Sequence, residues 1–321
     1  MANLRWGYAI NQWRNMEMDL VRKEQIESAL KVISVCGFEA IEITDTAIGG
    51  PEAIEGVFGS AHGFMDLLKS CRIDRVCSFF SGLGAGSAVL GGGSATNCAD
   101  HGRIIESAGR LADLLAELGA RCLIVRPMGP YCREVPVTED KIKAAAECWS
   151  NVGKITKAAG IQTAVHPDFL CGTRNADEIE KLLQWSDPET VALAMDTADF
   201  TIAGIDPVAF YENHHSRVQH LHFKDAVTTD TLNEYKEPNA ELDYWPTSLV
   251  VAGQKRGIEH WYFEMGTPGG LVDFPALIRA LHRHEYAPGV FVQIAFASHC
   301  AAPVVHSSTS VQIEASPTGS R

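Results

Sequence analysis

The chain has 321 residues, 46% hydrophobic and 21% charged. That is enough for one large domain with its own core, and too much for a mini-protein stapled by metal or disulfide. With 27 Lys and Arg against 40 Asp and Glu the formal charge is −13, a field that repels nucleic acid and anionic membranes and leaves small molecules as the expected ligands.

In chain order, an apolar run at 6–10 reads as the first strand, followed by a helix over 25–35 that closes at Gly37. Further strands are read at 40–44 and 74–80, and then a glycine-rich segment, 82–94, that is a lid or a surface loop. A helix ending at 118 before Gly119, a strand at 122–125 and a helix over 141–159 before Gly160 come next; each glycine stands where a helix C-cap needs positive φ. A strand at 162–166 leads to a helix capped by Asn175 with an acidic third residue, and strands follow at 191–196 and 218–223. An excursion over 226–272 carries Tyr244, Trp245 and Trp261 and reads as an ordered flap. Asp273 caps a helix over 274–282, the eighth strand covers 289–295, and residues 300–321 form a small, polar, disordered tail.

Eight strand–helix units with continuously apolar strands predict a single (β/α)8 TIM barrel over residues 1–299, interrupted by a long excursion between strands seven and eight. A doubly wound open sheet is the alternative. No stretch approaches the roughly 18 to 20 unbroken apolar residues of a membrane span, and the opening MANLRWGYAINQW lacks a secretory pattern, so a cytoplasmic protein is expected. Nine cysteines without a CxxC pair read as reduced thiols rather than a disulfide framework or zinc cage.

Active sites of such barrels form at the carboxyl ends of the strands, where an ionisable side chain escapes the desolvation cost it meets in mid-strand. Asp196 in LAMDTADF and His222 in QHLHFKD end adjacent strands and make a half-site for a divalent metal, or equally an Asp–His hydrogen bond. His220, on the same strand face, reads as a core or supporting histidine. Lys224 is placed to hydrogen-bond a carbonyl or enolate oxygen, or to form a rim salt bridge. His166 in AVHPDF is a ligand, an acid–base group or a loop histidine, with Asp168 just beyond. Glu42 closes the second strand and needs a partner, either Arg126 at the end of strand four or a substrate hydroxyl. Glu264 is a further ligand or general base, and Gln293 offers an amide to a cation or substrate. Trp6, Tyr8, Trp13, Phe79 and Phe80 supply aromatic surface on the early strands, Trp6 being assigned to substrate binding.

The segments WGYAINQW, GFEAIEI, VHPDFLCGT, DPETVALAMDTADFTIAGIDPVAFY, RVQHLHFKD and GTPGGLVDFPALIRALHRHEYAPGVFV resemble the xylose isomerase-like TIM-barrel superfamily of sugar isomerases, epimerases and dehydratases, and within it the inosose dehydratases. The resemblance implies a divalent metal (Mn, Co, Zn or Mg) held by Glu, Asp, His and Glu from strands five to eight. Asp196 and His222 match two of these positions, whereas Ala164 and Gln293 stand at the two glutamates. An Asp196, His222 and Glu264 set, with His166 or Gln293 added, is the remaining way to hold the ion. The implied activity is that of an isomerase or lyase acting on a small polyhydroxylated or oxygen-rich carbonyl compound, by proton abstraction beside the carbonyl with His166, Lys224, Glu264 and Glu42 as catalytic residues. The alternatives are metal-independent acid–base chemistry on a more apolar metabolite and a catalytically inert ligand-binding barrel. A DNA-repair endonuclease on the same barrel is opposed by the net charge. The superfamily also makes a homodimer an expected state.

Overall fold

The computed structural model describes residues 4–10, 22–45, 48, 50–84, 93–129, 137–168, 171–229, 262–286 and, as backbone, 290–292. The expectations placed on Trp13, most of the glycine-rich segment, the body of the excursion with its three aromatics, Gln293 and the tail lie outside these residues.

The elements follow the predicted alternation: β1 (Trp6–Ala9), α1 (Lys23–Val35), β2 (Ala40–Thr44), α2 (Pro51–Phe58), α3 (Ala61–Ser70), β3 (Arg75–Ser81), α4 (His101–Glu117), β4 (Cys122–Val125), α5 (Glu139–Ala158), β5 (Gln162–Val165), α6 (Ala176–Trp185), β6 (Val191–Asp196), α7 (Thr197–Ile202), α8 (Pro207–His214), β7 (Val218–Phe223), β8 (Asp225–Ala226), β9 (Tyr262–Phe263), α9 (Phe274–Arg283) and β10 (Val290–Val292). Asn175 and Glu178 form the expected capping box at α6, which satisfies two otherwise orphaned amides. The Asp273 side chain accepts from Ala276 N at 2.8 Å to start α9. The glycines after α1, α4 and α5 have φ of 90°, 68° and 77° at Gly37, Gly119 and Gly160, the left-handed turn that reverses each chain toward its next strand.

Eight strands close into a parallel barrel in the order β1-β10-β7-β6-β5-β4-β3-β2, so the sheet is not an open, doubly wound one. The short strands β8 and β9 pair antiparallel where the excursion leaves and rejoins the barrel.

Side chains alternate across the barrel wall with the strand period of two. Leu123, Val125, Val165, Leu193, Met195, Leu221 and Phe223 belong to the large core between sheet and helices. Cys122, Ile124, Ala164, Ala192 and Ala194, with Phe80 against them, form a separate small core in the lumen. Three of those five buried residues are alanines, so the lumen keeps room for polar side chains near its mouth. Even-numbered residues of β2 to β7 face inward, and that parity brings the ionisable strand ends together.

Candidate active site

The site is built from the carboxyl ends of β2 to β7. At the end of β6, Asp196 divides its two oxygens between structure and site. Oδ1 accepts from the backbone amides of Ala198 and Asp199 at 3.0 and 3.1 Å, capping α7. Oδ2 lies 2.8 Å from Lys224 Nζ and 3.7 Å from both His166 Nε2 and His222 Nδ1. Burial alone would raise its pKa, yet the Lys224 ammonium and the neighbouring His166 hold it well below the usual carboxylate range.

His222 has a partner on each ring nitrogen. Nε2 lies 2.9 Å from Glu42 Oε1 and Nδ1 lies 3.0 Å from His166 Nε2. Glu42, fully buried on β2, also accepts from Ser78 Oγ at 2.8 Å and lies 3.0 Å from His220 Nε2. Burial pushes the Glu42 carboxyl up, but His222 and the hydrogen bonds from His220 and His222 outweigh it and keep Glu42 ionised. Burial also drives His220 down to about 4 despite Glu42, so His220 stands neutral beside the carboxylate.

On β4 and the turn after β5, Arg126 Nε donates to Asp168 Oδ2 at 2.6 Å, and that oxygen stands 3.6 Å from His166 Nδ1. Burial opposes charge on His166, but Asp168 and Asp196 raise its pKa to about 9. Asp168 is held low, the Arg126 charge overcoming its burial. Phe80 packs edge-on against His166 with ring centroids 5.0 Å apart and carries the Arg126 guanidinium over its face at 4.9 Å.

Lys224, immediately after β7, lies 3.5 Å from Asp199 Oδ2 and 4.5 Å from the centre of the Tyr262 ring, and the Tyr262 hydroxyl donates to Asp199 Oδ1 at 2.8 Å. Burial disfavours its charge, but Asp196 and Asp199 more than compensate and raise its pKa. Asp199 is raised by burial, and then by Asp196, to about 7. The carboxyl groups of Glu42, Asp168 and Asp196 thus stand against Arg126, Lys224 and the histidines in a site almost closed to solvent.

The structure therefore gathers Asp196, His222, His166, Lys224, Glu42, Arg126 and Asp168 in one cluster, with two pairings the sequence reading did not anticipate. Arg126 pairs with Asp168 across neighbouring strands, not with Glu42, and Glu42 spans the lumen to His220 and His222. Glu264 is exposed, one residue past β9, away from the donor groups that converge among the described residues. Trp6 opens β1 at the end opposite the mouth and packs edge-on against Phe223 at 5.7 Å, in the layer facing the helices. Tyr8 and Phe79 belong to that layer too; of the early aromatics in the described residues, Phe80 is the one against the lumen core. Asp199, Tyr262 and Ser78 are additional members. The signal for Asp199 was its place one helical turn beyond Asp196 in DTADF.

Two sets of donor atoms are close enough together to hold a metal ion: Glu42, His220 and His222, and His166, Asp196 and His222. The second set lies at the carboxyl ends of β5, β6 and β7 and brings two nitrogens and one carboxylate oxygen within 3.0 to 3.7 Å of one another. Donors bonded to one ion of zinc size lie roughly 3.3 Å apart, so the residues present fit a divalent metal.

The sequence model of the family described as Xylose isomerase-like TIM barrel matches residues 30–296. An inosose dehydratase of Lacticaseibacillus casei is 25% identical over 192 residues, 56% of this chain and 59% of that protein; the chain thus spans about three-fifths of the length of that curated relative. A sugar phosphate isomerase/epimerase from Parabacteroides distasonis superposes with a TM-score of 0.61 at 18% identity, over 92% of this chain and 87% of that one. The IOLI protein with a bound zinc atom superposes at 0.62 with 13% identity, over 91% and 89%. At these identities the superpositions show a shared fold.

Proposed function

Because the chain belongs to the xylose isomerase-like TIM-barrel family, we propose that it is an isomerase or lyase acting on a small polyhydroxylated carbonyl compound. The observation that carries this reading is the buried convergence of His166, Asp196, His222 and Lys224 at the strand ends. The inosose dehydratase, epimerase and isomerase relatives are consistent with it.

A hydrogen beside a carbonyl is removed at neutral pH only when the developing enolate oxygen is stabilised. A divalent metal held by Asp196 and His222 would supply a Lewis acid to that oxygen. Lys224 supplies a second, permanent donor: its ammonium is anchored by Asp196 and Asp199 and keeps its proton because both neighbours favour the charge. Asp199 lies beside that donor, and its pKa of about 7 suits a base that later returns the proton. Tyr262 fixes the orientation of the carboxyl through Oδ1. Arg126 and Asp168 line the same mouth and offer donors and acceptors to hydroxyl groups. Proton return to the opposite face of the same carbon gives epimerisation and return to its neighbour gives isomerisation; loss of a β-hydroxyl, which leaves as water with the returned proton, gives dehydration.

The test is incorporation of solvent deuterium into a panel of ketoses and inososes, followed by NMR. Wild type should exchange the hydrogen beside the carbonyl, and Lys224→Met, Asp199→Asn and His222→Gln should lose the exchange with circular dichroism unchanged. An absence of exchange across the panel, or exchange at the wild-type rate in Lys224→Met, would refute the proposal.

A further inference from the structure

The rings of His166 and His222 each have a carboxylate on the side that faces away from the shared centre, within hydrogen-bond reach for His222 and at 3.6 Å for His166. His222 Nε2 hydrogen-bonds Glu42 Oε1 at 2.9 Å, which leaves Nδ1 directed at the cluster. His166 Nδ1 faces Asp168 Oδ2 at 3.6 Å, on a carboxylate that Arg126 clamps at 2.6 Å. Its Nε2 is the nitrogen directed at the cluster, 3.0 Å from His222 Nδ1. A carboxylate behind each ligating imidazole fixes the ring and raises its basicity as a metal donor. Asp196 completes the set with Oδ2, because Oδ1 is committed to two backbone amides of α7.

We propose that this protein holds its metal on two histidines and one carboxylate, His166, His222 and Asp196, and that Glu42 and Asp168 are the positioning residues behind the two rings. The inference rests on the metal-assisted reading given above and specifies the site. Ala164, which stands two residues before His166 on the same face of β5, presents only a methyl group to the lumen, so His166 is the nearest donor that strand can offer. Two neutral nitrogens and a single anionic oxygen form a softer set than a carboxylate cage. Such a set favours Zn2+, Fe2+ or Co2+ over Mg2+ and Mn2+, which prefer oxygen-rich shells. The deeper group of Glu42, His220 and His222 shares His222 with this set, and its carboxylate is engaged by Ser78 as well as by His222.

The experiment is titration of chelator-stripped, full-length protein with Zn2+, Co2+, Mn2+ and Mg2+ by calorimetry, together with the visible spectrum of the Co2+ form. Expected is one Zn2+ or Co2+ per chain, bound at least roughly 100-fold more tightly than Mg2+ or Mn2+, with the intense visible bands of four- or five-coordinate Co2+. His166→Gln should lose the tight site and those bands. Glu42→Gln and Asp168→Asn should weaken Zn2+ roughly 10- to 100-fold without changing stoichiometry, a response that mere structural support for the barrel would not give. Equal affinity for Zn2+ and Mn2+, or unchanged Zn2+ affinity in His166→Gln, would overturn the assignment. So would loss of Zn2+ in His220→Gln with retention in His166→Gln, which would move the ion to the deeper group. Deuterium exchange that persists in stripped protein would instead remove the metal-assisted reading on which the assignment rests. Metal-dependent exchange with intact binding in His166→Gln would remove the His166 assignment alone.

Discussion

Replacing Glu42 by glutamine is the most searching perturbation of the lumen, because it changes one atom and a charge at a site without solvent. The carboxylate faces three donors, Ser78 Oγ at 2.8 Å, His222 Nε2 at 2.9 Å and His220 Nε2 at 3.0 Å. Glutamine offers a single acceptor oxygen, and its NH2 group must then face at least one imidazole N–H. Two hydrogen bonds to a charged acceptor become one neutral bond and one orphaned donor. Charge-assisted bonds contribute about 1.5 to 3 kcal/mol net, against about 1 for neutral ones, and an orphaned buried donor costs about 1 to 3. Relief of the desolvation cost of the carboxylate offsets part of this, so the expected loss is about 2 to 4 kcal/mol. For a chain of this length that lowers Tm by roughly 3 to 6 °C. Calorimetry of the metal-free protein measures it, and 15N NMR of the histidine rings adds an independent readout. Wild-type His222 should carry its proton on Nε2, and the variant should show mixed tautomers. A Tm within 1 °C of wild type with the tautomer unchanged would refute the claim that Glu42 organises the two rings.

Arg126→Met leaves Asp168 buried beside His166 without its strongest counter-charge and should cost about 3 kcal/mol or more, read as a lowered urea midpoint with an unchanged slope. Gly153→Ala should destabilise by about 1 to 3 kcal/mol, because a Cβ there would lie 2.3 Å from the Thr190 carbonyl oxygen and force α5 off the strand edge; an unchanged melting point would contradict that packing. Gly84→Ala adds a methyl 2.7 Å from the Trp149 ring at a φ of 70° and should shift the near-ultraviolet spectrum of that indole, whose N–H donates to the Pro127 carbonyl at 2.6 Å. A spectrum identical to wild type would count against that close approach.

The barrel was legible because its strands are buried on both faces and so read as unbroken apolar runs, closed by glycines at the helix ends. The helices that escaped the reading are short ones. Residues 51–70 form two pieces, α2 and α3, separated by Gly59 at a φ of 78° and the capping Ser60, which breaks the helical period before it becomes recognisable. The six-residue α7 is started by Asp196 itself, so a residue read for its chemistry is also doing a structural task.

The site was legible residue by residue and not as a network. Position at a strand end finds Asp196, His222, His166, Lys224, Arg126 and Glu42, since a charged group can live there and not in mid-strand. It does not say which of them meet. Glu42 and His222 are 180 positions apart and touch because one strand faces the other across a lumen lined by alanines, a distance set by barrel diameter. Trp6 shows the converse: its residue type suggested ligand binding, but its parity and its place at the start of β1 send it to the outer layer. The comparison of strand positions with the sugar-isomerase pattern makes the mouth look depleted in acid, with Ala164 on β5 in place of a glutamate. The folded lumen holds Glu42, Asp168, Asp196 and Asp199 all the same. In the proposed site Glu42 and Asp168 would stand behind the histidines rather than against the ion, and a shell of that kind would trade raw affinity for hard cations against control over ring orientation and metal choice.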